Sequence, residues 1–313
     1  MSITIINPGF LTTVQDLGRY GYQSFGVSVA GACDKYSAAL ANILVGNEPS
    51  APLLEATFMG PMLRFNSSTT IAITGGNLSP SLNGLPLSLS KAIAVLPGDM
   101  LSFGFPQGGC RAYIACAGGL GLDPVMGSCA TDLKAKIGGY EGRRLEKGDQ
   151  IPLKKAPSLT NLEARQLPPH FLTQEVYTIR ILKGEQYGAF KQEAQENLEK
   201  AIYTLTPNHD RMGMRLEGPA LQHVGGPDVI SEPVSFGTVQ VPGNGQPIIM
   251  LADCQTIGGY TKIAHVATVD YGVLGQLKAG DKLRFKLITL EEAQRLLKIQ
   301  QEIFTLTNQL LNG

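Results

Sequence analysis

The densest group of ligand-type side chains lies in residues 253–262, where a polar strand end runs into two glycines. Amide and hydroxyl side chains in this segment offer donors and acceptors to an amide-like ligand. A Gly-Gly turn would leave backbone N–H groups free to hold an anion, and a lysine adds a cation. The pattern predicts a substrate-binding site made of Gln255, Thr256, Gly258, Gly259 and Lys262. The alternative is a polar hairpin tip with a solvated lysine.

Two arginines are candidates for holding an anion. Arg19 lies in a glycine-rich loop and could clamp a carboxylate or carboxyphosphate with two parallel hydrogen bonds. Its alternative is pairing with Asp16, which would hold the loop in shape. Arg211 stands four residues before Arg215 in the segment 208–219, and could bind an anion or join a structural ion-pair network. The residues expected to support these sites are Gln15, Asp16, Glu232 and Gln240.

The sequence assigns no catalytic acid, base or nucleophile. Cys254 and His265 suggest a nucleophile with its base, but a cysteine is more often a small buried residue, and nothing in the sequence brings the two together. His209 as an acid–base group has no further support. The four histidines do not pair with Cys or another His at a metal-ligand spacing, so no metal site is expected. Phosphate loops, dinucleotide fingerprints and nucleophile elbows are absent from the sequence.

Three segments have the periodicity and capping residues of helices, and most of the remaining chain has the pattern of short strands. The helices are predicted at 34–45, 188–202 and 289–311, with Asp34 and Thr289 as N-terminal caps. The predicted strands include 70–74, 111–117, 176–182, 247–252 and 282–287. The expected fold class is therefore mainly β with a few helices.

Weak internal repetition indicates two related β-barrels. A Gly-Asp phrase occurs at 98–103, 148–153 and 280–285, where each copy would turn the chain tightly into a strand. A Leu-Glu phrase leads to Gly-Pro-x-Leu, predicted as a strand, at 54–63 and again at 216–221. The order of these phrases is more specific than any one copy.

The expected domain boundary is a proline-containing stretch with few strand formers. We place a linker at about 156–173, between an N-terminal β-barrel domain at 1–155 and a C-terminal one at 174–313. The second domain would end in the C-terminal helix.

Composition excludes several classes of protein. The chain has 313 residues, with 26 Lys and Arg against 26 Asp and Glu. A net charge of zero argues against nucleic-acid binding and against a polybasic membrane surface. We see no membrane span and no signal peptide in the sequence. Five cysteines without a CxxC pair argue against a disulfide framework, so we expect a cytoplasmic protein.

Longer phrases spread over the whole chain carry a family resemblance. In the first half they include Gly9-x-x-Thr-Thr-Val-Gln-Asp-x-Gly-Arg19, Ala72-Ile-Thr-Gly-Gly76 and Tyr113-Ile-Ala-Cys-Ala-Gly-Gly119. In the second half they include Arg211-Met-Gly-x-Arg-Leu-x-Gly-Pro219 and Asp253-x-Gln-Thr-x-Gly-Gly-Tyr260. With these phrases the chain resembles the allophanate hydrolase subunit 2 or biotin-dependent carboxyltransferase family.

The resemblance implies two cyclophilin-like β-barrel domains and partner proteins. In the urea carboxylase relatives, this module and a subunit-1-like module form the site that receives the biotin-borne carboxyl group. In the bacterial 5-oxoprolinase, which has three different subunits called A, B and C, the three together open 5-oxoproline to glutamate with ATP.

A module of this length with no biotin carrier fits the oxoprolinase better. The resemblance therefore implies its C subunit, which would work with the A subunit, the KipI-like B subunit and a small amide or lactam substrate, and would be inactive alone. ATP would be needed by the complex, and biotin only in the carboxyltransferase alternative. Two alternatives stay open: a regulatory module that antagonises a KipI-like kinase inhibitor, and the carboxyltransferase subunit of a biotin-dependent urea carboxylase.

Overall fold

The computed structural model describes residues 1–156, 158–168 and 173–312. Parts of the predicted linker, at position 157 and positions 169–172, lie outside the described residues. The chain divides into two units, each with its own core. The N-terminal unit comprises residues 1–20, 30–173 and 305–313, and the C-terminal unit comprises residues 21–29 and 174–304. A simple division at the linker would place residues 21–29 in the first unit and residues 305–313 in the second, but each segment groups with the other unit.

The N-terminal unit contains eleven of the described strands and one helix. The strands are β1 (Ser2–Asn7), β2 (Leu11–Gln15), β3 (Leu53–Thr57), β4 (Met62–Phe65), β5 (Thr69–Asn77), β6 (Pro80–Leu82), β7 (Leu85–Pro86), β8 (Ala92–Val95), β9 (Met100–Phe103), β10 (Gly108–Cys116) and β11 (Gln150–Pro152). Helix α1 covers Lys35–Leu44. The strands form one sheet in the order β11-β1-β4-β9-β6-β7 and another in the order β2-β3-β10-β5-β8.

Apolar side chains of both sheets meet in the core of the N-terminal unit. Ile3 on β1 and Leu63 on β4 pack in the same cluster as Leu54 on β3 and Ile114 on β10, and all four are inaccessible to solvent. Alternation of side chains along each strand gives this buried face. Helix α1 begins as predicted, because the carboxylate of Asp34 accepts the N–H of Ser37 at 3.0 Å.

The C-terminal unit contains eight described strands and helix segments around a second core. The elements are β12 (Tyr177–Lys183), α2 (Gln192–Lys200), β13 (Tyr203–His209), β14 (Gly213–Glu217), β15 (Asp228–Pro233), β16 (Thr238–Val241), β17 (Ile248–Met250), β18 (Ile257–Val266), α3 (Tyr271–Gln276), β19 (Lys282–Leu287) and α4 (Leu290–Asn312), whose last residues are grouped with the N-terminal unit. The strand order is β12-β19-β13-β14-β17-β16-β18, and β18 pairs back with β12. These seven strands close into a barrel, and β15 pairs with the first residues of β18 as an eighth strand.

The three Gly-Asp phrases form the same turn in both units. Their glycines have positive φ, at Gly98 (95°), Gly148 (96°) and Gly280 (88°). In each turn the aspartate carboxylate accepts the N–H of the residue three positions earlier; these bonds join Asp99 to Leu96, Asp149 to Glu146 and Asp281 to Lys278. Strands β9, β11 and β19 then follow directly. The repeated turn confirms the prediction of two related β domains.

Most predicted elements are present, and the differences are local. Helix α2 begins at Gln192 and not at Gly188, because Phe190 has an extended backbone with ψ of 146°. Helix α4 is capped by Thr289, whose hydroxyl accepts the N–H of Glu292 at 3.2 Å. Helix α3 was not predicted. The strand expected after Gly218 is wrong, because β14 ends before it and the N–H of Leu221 bonds instead to the carbonyl of Gly245.

The mainly β fold class is confirmed by these elements. Within the described ranges, no helix has both the length and the apolar character needed to cross a membrane.

Candidate functional site

A row of side chains crosses four strands on the outer face of the C-terminal barrel. Arg215 on β14 lies opposite Ile248 on β17, Ile248 lies opposite Gln240 on β16, and Gln240 lies opposite Lys262 on β18. Directly opposite residues of a sheet share one face. The neighbours of the row along each strand, such as Met214 and Val239, point into the barrel core. The row therefore lies outside the barrel.

A cavity of about 660 Å³ covers three positions of this row. Its polar lining residues are Asn208, His209, Asp210, Arg215, Gln240, Gln255 and Tyr260. Ile248 and Met250 contribute apolar surface, and both belong to a small apolar cluster with Val234 and Cys254. Apolar surface with a few convergent polar groups is the usual composition of a small-molecule site.

The loop between β13 and β14 forms one rim of the cavity. The Asp210 carboxylate accepts the N–H groups of Met212 at 2.7 Å and Gly213 at 3.3 Å, which closes the turn. His209 Nδ1 lies 3.0 Å from the carbonyl oxygen of Thr206. Because a carbonyl oxygen only accepts, Nδ1 carries the proton of that bond. The two side chains are thus held in place by their own turn.

Two cavity side chains carry unused hydrogen-bonding groups. Arg215 is exposed, and within the described ranges its guanidinium has neither an ion pair nor a hydrogen bond. The half-buried side-chain amide of Gln255 likewise has no hydrogen-bond partner among the described residues. An unpaired guanidinium can bind a carboxylate. A side-chain amide can donate to the carbonyl of an amide ligand or accept from its N–H. The predicted binding residue Gln255 and the predicted supporting residue Gln240 lie here, whereas the role of Arg215 had been left open.

The prediction of a Gly-Gly turn is wrong. Gly258 and Gly259 lie inside strand β18, where Gly258 is the register partner of Glu232 on β15. Neither glycine has a positive φ. Strand pairing with β15 overrides the turn preference of the two residues. Thr256 precedes the strand, and its backbone carbonyl accepts the N–H of Val234 at 2.9 Å.

Lys262 is a buried cation in an ion-pair cluster, so the alternative of a solvated lysine is also wrong. It is 3% exposed, and its ammonium contacts the carboxylate of Glu232 and lies 3.8 Å from that of Glu185. Gln186 joins both partners: its oxygen accepts the backbone N–H of Lys262 at 3.0 Å, and its amide donates to Glu232 at 3.0 Å. The Lys262 ammonium and the Gln186 amide hold the pKa of Glu232 below its ordinary value.

Arg211 is engaged by a buried carboxylate. Its guanidinium donates to both oxygens of Asp253, at 2.9 Å each, and the two residues are 5% and 6% exposed. The backbone N–H of Asp253 also donates to the carbonyl of Arg211 at 2.9 Å. Such a two-pronged pair fixes the start of the segment that carries Gln255. The structural ion pair foreseen as one alternative is present, and it occupies the Nε/Nη2 edge of the guanidinium.

Arg19 lies in the N-terminal unit and is fully buried. Its Nε donates to the carbonyl of Val125 at 2.9 Å, and its Nη2 donates to that of Ala130 at 2.8 Å. Asp16 accepts the N–H of Cys129 at 2.6 Å and the hydroxyl of Ser128. The expected pairing of Asp16 with Arg19 is therefore wrong, because each binds the loop at 125–130 instead.

Gln15 acts on the same loop, since its amide donates to the carbonyl of Thr131 at 3.2 Å. The buried Arg19 Nη1 and Gln15 Oε1 have no hydrogen-bond partner among the described residues. The motif that suggested an anion clamp thus holds a loop of the N-terminal unit in place. An anion-binding role for Arg19 stays a prediction.

Sequence reasoning missed a buried polar group in the N-terminal unit. Glu55 on β3 accepts the N–H of Cys33 and the hydroxyl of Tyr113, both at 2.9 Å. Arg111 Nε lies 3.8 Å from the same carboxylate, and all these side chains are at most 2% exposed. Charged residues inside otherwise apolar strands were the available signal.

Cys254 and His265 do not form a nucleophile and base. Cys254 packs with Val234 and Met250, and burial raises the pKa of its thiol to about 12. His265 bonds to Glu185 at 2.9 Å and to the hydroxyl of Thr238 at 3.3 Å. The thiol therefore stays protonated at neutral pH, and the imidazole of His265 bonds to Glu185 and Thr238 instead.

Comparison with known proteins gives consistent results. The model of a carboxyltransferase domain, subdomain A and B, matches residues 25–287. The C subunit of 5-oxoprolinase from Escherichia coli strain K12 is 37% identical over 302 residues, which cover 96% of each chain. The same-named protein of Haemophilus influenzae is 36% identical and covers 94% of each chain. The solved structure of the K. lactis urea amidolyase matches 98% of this chain and 20% of its own, with a TM-score of 0.92 and 31% identity.

Proposed function

This chain belongs to the carboxyltransferase domain family of subdomains A and B, and from that premise we propose that it is the C subunit of an ATP-dependent 5-oxoprolinase. The complex would open the lactam ring of 5-oxoproline to give L-glutamate. The observation that carries the proposal is the similarity to proteins named as the C subunit of 5-oxoprolinase along nearly the full length of both chains. The name of these relatives, a subunit, supports a role within a complex.

The cavity on the C-terminal barrel offers groups for each part of 5-oxoproline. The ligand has a carboxylate, a lactam N–H and a lactam carbonyl. The unpaired guanidinium of Arg215 would bind the carboxylate, the amide of Gln255 would donate to the carbonyl, and Gln240 would accept from the N–H. These contacts would orient the scissile amide, and orientation is a large part of catalysis.

The cavity does not fit a nucleotide triphosphate. Arg215 is its one cationic side chain among the lining residues described, and Asp210 places a carboxylate on the rim. A triphosphate needs several cations or a cradle of backbone N–H groups. We therefore assign no ATP binding to this cavity and propose that ATP is bound by the A subunit or by the KipI-like B subunit. On this proposal the chain alone is inactive.

The test is reconstitution of the complex. The chain is co-expressed with its A-like and B-like partners, and ATP-dependent formation of glutamate from 5-oxoproline is followed with and without it. Turnover that requires this chain is the expected result. Equal turnover without the chain contradicts the proposal, and a stable complex without turnover would favour the regulatory KipI-antagonist role instead.

A carboxyltransferase role is the second candidate. The observation in its favour is the match to the urea amidolyase structure over 98% of this chain. In that role the same cavity would hold a urea-like amide, and biotin would deliver the carboxyl group. The chain covers only 20% of that protein, so the remaining chemistry of such a carboxylase lies outside the matched part. Biotin-dependent carboxylation of urea by the reconstituted complex, without glutamate formation, would favour this candidate.

A further inference from the structure

We infer that Gln240 is fixed as a hydrogen-bond acceptor and selects ligands that present an N–H group, with Gly258 as the residue that positions it. The inference rests on the proposed function for the identity of the ligand, a small amide that carries a carboxylate. It also predicts which close analogues the cavity rejects.

The orientation of the Gln240 amide follows from its one hydrogen bond. Its Nε2 donates to the backbone carbonyl of Tyr260 at 3.3 Å. Because a carbonyl oxygen only accepts, the NH₂ group must face it, and the opposite flip would place two oxygens together. The Oε1 atom is thereby directed away from Tyr260.

The Oε1 atom of Gln240 lacks a donor. The side chain is 2% exposed and lines the cavity. No residue in the described ranges donates a hydrogen bond to Oε1, and Oε1 is not one of the buried atoms that lack a partner, so it is open to the cavity. Its donor is whatever occupies the cavity, which is water when the cavity holds no ligand. An amide N–H is a donor of the right polarity, whereas an ester or ether oxygen is not.

Gly258 makes room for this arrangement. A Cβ atom at position 258 would lie 2.7 Å from Gln240 Nε2 and 3.0 Å from a methyl group of Val234. The first atom is the end of a flexible side chain, so an added methyl group would displace the amide at little cost to the fold. At Gly259 a Cβ would meet its nearest atom, the carbonyl oxygen of Val229, at 3.4 Å, an ordinary contact.

Arg215 would bind the end of the ligand opposite to the N–H group that Gln240 accepts. Arg215 and Gln240 both pair with Ile248, on opposite sides of β17. Their Cα atoms are therefore two strand spacings apart, about 10 Å. Two side chains reaching over Ile248 from this separation fit a small ligand with a carboxylate at one end and an N–H at the other. A neutral acyclic amide would use only the Gln240 end.

The test compares 5-oxoproline with its lactone analogue, in which oxygen replaces the ring N–H. Affinities are measured by calorimetry on the full chain with its A-like and B-like partners present. Wild type should prefer the lactam by about 10-fold or more, because the lactone would displace water from Oε1 and place another acceptor against it. The variants Gln240→Met and Gly258→Ala should lower this ratio towards one. The matched control Gly259→Ala should keep the wild-type ratio.

The ratio of the lactam affinity to the lactone affinity distinguishes a loss of recognition from a loss of stability, because a general loss of stability would weaken the binding of both ligands equally. Equal wild-type affinity for the two ligands would overturn the inference, and so would an unchanged ratio in Gly258→Ala and Gln240→Met.

If reconstitution shows that 5-oxoproline is not the substrate, the same variants are titrated with urea. Weaker urea binding in Gln240→Met and Gly258→Ala, but not in Gly259→Ala, would support the inference without the proposed function. Unaffected urea binding, or no binding of either amide to wild type, would overturn it.

Discussion

An arginine in each unit has a different use. In the N-terminal unit Arg19 is fully buried and donates to backbone carbonyls, while Asp16 accepts from the same loop. In the C-terminal unit the exposed guanidinium of Arg215 has no partner among the described residues and lines a cavity. Arg19 thus makes most of its hydrogen bonds within the protein, whereas the guanidinium of Arg215 is available to a ligand.

The difference shows how residue type alone misleads. Arg19 and Arg211 were the predicted anion contacts, and the structure shows both of them buried against protein oxygens. A charge that is buried and satisfied contributes to stability or specificity of the fold. A charge at a cavity that lacks a partner is available for binding. Variants of Arg19 and of Arg215 should therefore have opposite signatures.

The largest effect on stability is expected from Arg19→Leu. The carbonyls of Val125 and Ser128 would keep a backbone donor, since each accepts the N–H of the other residue, but the buried carbonyl of Ala130 would lose the guanidinium that donates to it. An orphaned buried acceptor costs roughly 1–3 kcal/mol, so the loss should be at least about 1 kcal/mol. Urea unfolding measures it. Arg64→Leu, on the exposed side of β4, is the control and should change stability by less than about 0.5 kcal/mol. Equal effects of the two variants would contradict the structural role of Arg19.

Arg215→Gln should show the opposite signature. Its stability should stay within about 0.5 kcal/mol of wild type, because the side chain is exposed. In the reconstituted complex the KM for 5-oxoproline should rise roughly 10- to 100-fold, the usual cost of losing a hydrogen bond to a charged group. The matched control is Arg284→Gln, on the exposed side of β19. An unchanged KM in Arg215→Gln would remove the arginine from the site.

A smaller, pH-dependent effect is expected from the Lys262 cluster. The pKa of Glu232 is lowered by the Lys262 ammonium and the Gln186 amide. A lowered folded-state pKa stabilises the fold above the ordinary glutamate value of 4.5, and this contribution is lost as the pH falls through the folded-state pKa. Wild type should therefore lose more stability than Glu232→Gln between pH 5 and pH 3, measured by thermal unfolding. Parallel curves for the two proteins would show that the pair contributes nothing.

The smallest effect is expected from thiol reagents. All five cysteines are buried thiols, and burial raises the pKa of both Cys116 and Cys254 to about 12. A chromogenic disulfide reagent at pH 8 should therefore modify none of them in the native protein and all five after unfolding. Rapid modification of Cys254 in the native state would contradict its burial beside the cavity.

Local patterns in the sequence were sufficient for the helices, many strands and the Gly-Asp turns, because capping and turn chemistry act over a few residues. Gln240 and Gln255 were found as polar residues between strand patterns. Arg215 could not be chosen over Arg211, since the choice depends on which strand pairs with which. The register that places Arg215, Ile248 and Gln240 in one row is set by contacts remote in sequence. The same is true of Gly258, whose strand pairing overrode its turn preference.

The most direct test is a crystal structure of the chain with 5-oxoproline. The account predicts the ligand in the cavity of the C-terminal barrel, with its carboxylate on Arg215 and its lactam N–H within hydrogen-bond distance of Gln240 Oε1. A ligand held by Arg19 in the N-terminal unit, or an empty cavity at a concentration that saturates the active complex, would contradict it.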